Sequence, residues 1–181
     1  MSLLRFDDLA PVPWKNGMGI TREIAVVPAG ASVDAFTWRA SIADVDTASP
    51  FSSFPGVDRT IVLLDGDGFT MTLDGVRQHA LTERFVPFAF AGEASVDVDL
   101  AGGATRDFNL MVRRGRASAR VTTMDLTAPL TLPSDAVLAH LARGSASVDG
   151  HAMRTGDTWL GRGTVVPEPH GVLLVVTVVV P

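Results

Sequence analysis

Hydrophobic and polar positions along this chain alternate in short runs, and nowhere do they keep the spacing of a long amphipathic helix. The run Phe36-Thr37-Trp38-Arg39-Ala40-Ser41-Ile42 has period two. Phe36, Trp38, Ala40 and Ile42 share one face of the predicted strand, and Thr37, Arg39 and Ser41 share the other. The first face reads as core. The second lines either solvent or a cavity, because the inner wall of a barrel is polar where it holds a ligand. The run from Asp107 to Val112 repeats the pattern, with Asp107, Asn109 and Met111 on one side and Phe108, Leu110 and Val112 on the other. Further strands are expected near residues 20–27, 60–64, 69–73, 85–90, 95–100 and 117–123, and in the short run 156–160. Eight of the nine residues at 172–180 are aliphatic, which predicts a strand buried on both faces. Ser134 is a good helix N-cap, but Gly144 stops the following run early, and a strand is preferred there. The fold class is all-β, closed as a sandwich or barrel.

Residues 49–75 carry the densest punctuation. Two prolines, a Pro-Gly pair and two phenylalanines predict a non-helical loop held down by apolar anchors. Two apolar runs separated by Asp65-Gly66-Asp67-Gly68 then predict a hairpin, closed by a further Asp74-Gly75. A weaker echo at residues 137–150 also ends in Asp-Gly and suggests internal duplication. The proline-punctuated stretch 127–134 is the expected boundary, giving a unit at 1–126 and a smaller one at 127–181, with strand sharing between the two left open.

Composition narrows the chemistry. There is no cysteine, which removes disulfides, thiolate metal sites and cysteine nucleophiles. The amino terminus carries acids early and no apolar signal core, and no apolar stretch approaches the roughly 20 residues of a membrane helix. These features predict a soluble, cytoplasmic protein without membrane partners. A net charge of −5 with scattered arginines argues against nucleic acid, and the one dense basic patch, Arg113-Arg114-Gly115-Arg116, reads as a solvated turn after a strand. Of the fifteen basic residues only Lys15 is lysine, a candidate for a role that guanidinium cannot fill.

Lys15 stands in Trp14-Lys15-Asn16-Gly17, a turn followed by Thr21-Arg22-Glu23. Together with Phe36-x-Trp38-Arg39-x-Ser41, Pro50-Phe51-Ser52-x-Phe54-Pro55-Gly56-x-Asp58-Arg59 and Asp107-Phe108-Asn109-Leu110-Met111, this segment resembles the HutD/Ves family of cupin-like proteins. The named motifs cover about the first two thirds of the chain; Met18 departs from a frequent family glycine. The resemblance implies a double cupin, two jelly-roll β-barrels of the RmlC-like type, and an association with histidine utilisation or stress response. It also implies small-molecule binding rather than established catalysis.

The four histidines, His79, His140, His151 and His170, lack the spacing of a cupin metal centre; each reads as a surface or turn residue, and no metal or other cofactor is expected. The polar constellation is Lys15, Asn16, Thr21, Arg22, Glu23, Arg39, Ser41, Ser52, Arg59, Asp107 and Asn109. Arginines hold carboxylates bidentately, and asparagine or serine reads an amide or formyl group. A pocket for a small anionic, amino-acid-derived ligand follows, and the family resemblance points to carboxylates of histidine degradation. The alternative is that Arg22, Glu23, Arg59 and Asp107 are ion pairs pinning loops and that Asn16 only makes its turn. A metal-free isomerase or hydrolase using Glu23 or Asp107 as acid or base ranks second to binding, and a protein-interaction module third. Dimerisation through an edge strand is left open.

Overall fold

The computed structural model describes residues 1–181. Its strands are β1 (Ser2–Leu4), β2 (Pro11–Pro13), β3 (Gly19–Val27), β4 (Trp38–Val45), β5 (Val57–Asp65), β6 (Phe69–Leu73), β7 (Arg77–Leu81) and β8 (Phe88–Ala91). They continue as β9 (Val96–Leu100), β10 (Thr105–Arg113), β11 (Ser118–Leu126), β12 (Leu130–Thr131), β13 (Ala136–Val148), β14 (His151–Arg154), β15 (Thr158–Leu160) and β16 (Thr164–Val179). One 3-10 turn at Phe6–Asp8 is the whole helical content. The all-β expectation holds.

The chain forms two compact units, Ala10–Ala117 and Met1–Leu9 with Ser118–Pro181. This differs from a division at 126/127, and strand pairing is the reason. β11 pairs with β16 from Ser118↔Val179 to Leu126↔Gly171, and β1 pairs with β15. Asp157, fully buried, fastens the amino terminus: it accepts hydrogen bonds from Arg5 Nη1 at 2.6 Å, Phe6 N at 3.2 Å and Arg154 N at 3.1 Å. A carboxylate with that many donors is satisfied in the interior, and it ties Met1–Leu9 to residues far along the sequence.

In the Ala10–Ala117 unit a six-stranded sheet, ordered β2-β3-β4-β10-β5-β8, is accompanied by a three-stranded sheet, β7-β6-β9. Residues 60–64 and 69–73 are strands as expected, but they do not pair as a hairpin. β5 belongs to the larger sheet, whereas β6 pairs with β7 and β9. Gly66 and Gly68 have φ of 88° and 76°, and a Cβ on Gly68 would stand 1.9 Å from the Leu81 carbonyl oxygen. The Asp-Gly-Asp-Gly segment therefore turns a corner between sheets instead of reversing the chain. The reversal comes one Asp-Gly later, where Asp74 (φ 51°) and Gly75 (φ 71°) join β6 to β7, a strand the sequence did not announce. Positive φ at both central residues is the signature of a type I′ hairpin.

The Met1–Leu9/Ser118–Pro181 unit repeats part of this. Asp149 (φ 46°) and Gly150 (φ 81°) make the same kind of turn between β13 and β14. Gly144 (φ 92°) bends β13 where its register with β16 shifts, without breaking the strand, so the expected glycine turn is a bend. His140 also departs from expectation: it is buried on β13, with Nδ1 2.9 Å from the Thr158 hydroxyl.

The Arg113–Arg116 turn is not merely solvated. Arg113 donates to the carbonyls of Phe36 and Val33, Arg116 to that of Ala35, and Arg114 pairs with Glu93 and Asp58. These bonds hold residues 33–36 and the start of β5 beside the end of β10.

Gly68→Ala is expected to cost about 2 kcal/mol or more, because it combines positive φ with a backbone clash. Urea unfolding followed by tryptophan fluorescence would show the lowered midpoint.

Candidate functional site

The inner face of the six-stranded sheet is set by strand alternation. Register aligns Arg39, Met111 and Arg59 in one lateral row, Ser41 and Asn109 in the next, and Thr21, Ala43 and Asp107 in a third. Below Arg59 on β5, the same face continues through Ile61 and Leu63 into a buried cluster with Phe69, Met71, Leu73, Leu81, Phe90, Val96 and Val98. That cluster fills the interior toward the three-stranded sheet. A second cluster, Phe36, Val57 and Met111 with Phe54 packed against it, lies by the first row. Between them a cavity of about 510 Å³ remains, within the range of small-molecule sites.

Residues 49–56 form one wall. Phe51 N donates to Val96 O at 2.9 Å and Phe54 N to Gly92 O at 2.7 Å, so the loop is pinned at both aromatic positions. Their rings surround the Arg59 guanidinium, whose central carbon lies 5.1 Å from the Phe51 centroid, 5.4 Å from Phe54 and 4.9 Å from Phe90. Such contacts favour a cation but satisfy none of its N–H groups. Arg59 donates from Nη2 to Asn109 Oδ1 at 3.3 Å and from Nη1 to the Ser52 carbonyl at a long 3.5 Å. Its Nε has no partner, and no carboxylate pairs with it, although the residue is only 8% exposed. Burial, and secondarily the Arg39 charge, push it down to about 10, so it is still a cation at neutral pH.

Asp107 is a second buried ionisable group of the cavity without an ion-pair partner. At 1% exposure it accepts a long hydrogen bond from the Thr105 hydroxyl at 3.5 Å. Burial pushes the carboxyl up to about 8; the Thr105 contact pulls weakly downward and the Asp44 charge adds to the rise. Below that pH it is a neutral acid, able to donate a hydrogen bond. The cavity thus presents a charged guanidinium, a protonated acid, an amide and hydroxyls.

The HutD family model matches residues 7–168. This chain belongs to the HutD family. It is 41% identical over 148 residues to an uncharacterised 21.2 kDa protein in the hutC 3′ region of Pseudomonas putida, covering 82% of this chain and 77% of that one. It is 42% identical over 128 residues to protein Ves of Cronobacter sakazakii, covering 68% of each. Among solved structures, HutD from Pseudomonas fluorescens SBW25 superposes with a TM-score of 0.82 at 33% identity over 98% of both chains. A cupin 2 conserved barrel domain protein from Leptotrichia buccalis, at 12% identity, covers 98% of this chain and 96% of its own with a TM-score of 0.62. That likeness marks a cupin-type β fold.

Nine of the eleven residues singled out in this HutD-family sequence line the cavity: Lys15, Asn16, Thr21, Arg39, Ser41, Ser52, Arg59, Asp107 and Asn109. Arg22 and Glu23 do not. Arg22 alternates with Thr21 and points to the opposite face, where it and Arg106 share the Asp44 carboxylate. Although burial pushes the other way, hydrogen bonds and charge from Arg106 and Arg22 hold Asp44 below its usual range. Glu23 accepts from Arg39 Nε at 2.8 Å and braces it. The ion-pair reading therefore holds for Arg22 and Glu23 but not for Arg59 and Asp107. Asn16 does make its turn, accepting from Met18 N at 3.1 Å, and also faces the cavity. Trp14 steadies the same turn through a 2.8 Å bond from Nε1 to Thr21 Oγ1.

The aromatic cage and Ser49 went unassigned in the sequence. Ser49 is buried in the cavity wall with an unpartnered hydroxyl. The signal was present: an Arg shortly after a loop with two anchoring phenylalanines. No three His, Asp or Glu side chains converge to share a metal ion, and His79 lies flat on Phe88 at 3.6 Å, held below its usual range by burial and Arg77.

A carboxyl with a raised folded-state pKa favours folding most below its unfolded value near 3.8, and this contribution is lost as pH rises through about 8. Asp107→Asn removes the loss. The variant should melt ~3 °C or more above the parent at pH 8 and show a flatter midpoint-against-pH curve between pH 5 and 9, read by differential scanning fluorimetry.

Proposed function

We propose that this chain is a small-molecule binding protein whose cavity takes a small carboxylate. The observation that carries this reading is Arg59: a buried cation without a carboxylate, with an unused N–H, at the wall of a cavity. Burying an unpaired charge is costly, and an anionic ligand offsets that cost by completing the pair. Asp107 in its acid form supplies a donor, while Asn109 and Ser41 are placed to read a neighbouring amide or carbonyl. The names of the relatives direct the choice of carboxylate. HutD and a protein beside hutC suggest histidine utilisation, so urocanate, formylglutamate and glutamate are the first candidates, and the role is regulatory or accessory.

The double-cupin reading belongs with this proposal. Its support is the repeated device in the two units: a glycine-bent strand region leading into an Asp-Gly hairpin, at Gly66–Gly75 and again at Gly144–Gly150.

One observation favours a second reading. Asp107 titrates near 8 inside the cavity, which suits a general acid or base, whereas Glu23 is tied to Arg39 outside the lining. Recovering the ligand unchanged after incubation separates binding from turnover.

A ligand at a hundred times its dissociation constant adds roughly 2.7 kcal/mol of stability, or about 5 °C or more for a chain of this size. Thermal shifts with urocanate, formylglutamate, glutamate and acetate should show such a rise for at least one compound, and Arg59→Ala should abolish it. No shift with any carboxylate, in protein shown to be folded, would remove the reading.

A further inference from the structure

Resting on the carboxylate reading of the same cavity, we propose that the site has two anion poles and takes a dianion: a short molecule with an acidic group at each end and a polar group between. The charges around the cavity carry this inference. Three cations line it, Lys15, Arg39 and Arg59, and one carboxylate, Glu23, is paired with them through Arg39. Two cations are left without an anion. A monocarboxylate on Arg59 leaves the exposed Lys15 ammonium at the cavity with only solvent as its partner.

The two free cations belong to opposite ends of the sheet face. Arg59 shares the lateral row of Met111 and Arg39. Lys15 belongs to the turn between β2 and β3, and that turn leads into Thr21, in the row of Asp107. Four residues along β10 separate the rows of Met111 and Asp107, about 13 Å between Cα atoms at strand rise. The two cations therefore rise from different rows of the sheet face, and a ligand with a single acidic group pairs with one of them. At the Lys15 end, the Asp107 acid offers a hydrogen bond to an anion, whereas an ionised carboxylate would repel it.

The middle of the span is polar and partly unused. Asp46 N and Thr47 N donate to Met18 O at 3.1 and 3.4 Å, so the chain leaving β4 starts beside the Lys15 turn. It reaches the Arg59 cage at Phe51. Ser49 lies between these points, buried, with its hydroxyl unpartnered and facing the same cavity as Ser41 and Asn109. An unsatisfied buried hydroxyl on the segment that joins the two poles, facing the same cavity, fits a ligand that carries a polar group between its acidic ends.

The test is calorimetric titration of the full chain at pH 7 and constant ionic strength. Malonate, succinate, glutarate and adipate are compared with monocarboxylates of equal length, in the parent, Lys15→Gln, Lys15→Arg and Arg59→Met proteins. The expected result is a chain-length optimum at which the dicarboxylate binds at least ten-fold more tightly than its monocarboxylate partner. Lys15→Gln should shrink that ratio to about three or less, Lys15→Arg should restore most of it, and Arg59→Met should weaken both ligands. Lys15 is exposed on its turn, so these variants are expected to fold, and circular dichroism checks it. Equal affinities in the parent, or a ratio that Lys15→Gln leaves untouched, would overturn the dianion inference while the carboxylate reading stands. If no member of either series binds, both are overturned.

Discussion

The arrangement depends on one unpaired interaction: a guanidinium, Arg59, buried on the inner face of a six-stranded sheet without a carboxylate to meet it. Three phenylalanine rings keep water away and favour the positive charge, but they leave N–H capacity unused. The surroundings are fixed accordingly. Backbone hydrogen bonds to Val96 and Gly92 lock the loop that carries two of the rings, and a Cβ on Gly92 would sit 2.7 Å from the Phe54 carbonyl. On the same row Arg39 adds repulsion, and the carboxylate beside it, Glu23, is paired with Arg39 and not with Arg59. A charge held in this way has unused binding capacity directed at whatever enters the cavity.

The cavity exists because the space over the inner face of the six-stranded sheet is filled from one side. On β5 the inward positions change from Arg59 to Ile61 and Leu63, and the apolar pair joins the cluster against the three-stranded sheet. The corresponding inward positions on β4 and β10 are Arg39, Ser41, Asp107 and Asn109, which do not pack as a core. Hydrophobic burial fills one part of this face and polarity keeps the other open. The same alternation that stabilises the sheet therefore defines the site. Asp107 is the visible cost: a carboxyl that loses its charge because nothing in the protein compensates it.

Much of this was legible in the sequence wherever strand periodicity alone decides the outcome. Arg39 with Ser41, and Asp107 with Asn109 and Met111, are alternate residues on strands, and they do face one cavity. The same rule limits Thr21-Arg22-Glu23, since neighbours on a strand cannot all point inward; Arg22 takes the opposite face, with Asp44. What was not legible depends on contacts distant in sequence. Asp-Gly-Asp-Gly suits a hairpin as well as a corner, and the choice rests on Gly68 packing against the Leu81 carbonyl. The unit boundary moved because β11 finds its partner in β16, some fifty residues on, and composition holds no trace of that pairing. Phe51 and Phe54 read correctly as anchors, but their second role around Arg59 needs the fold.

Whether Arg59 is kept for a ligand or for the fold is decided most directly by the stability of Arg59→Met without any ligand. Methionine keeps most of the length and removes the charge. A buried charge that no opposite charge meets carries its desolvation cost in full, and an apolar side chain of similar length removes that cost. Denaturant unfolding in carboxylate-free buffer should therefore find the variant at least as stable as the parent. A clear loss of stability, ~1 kcal/mol or more, would contradict the account and make the guanidinium a structural strut of its phenylalanine cage.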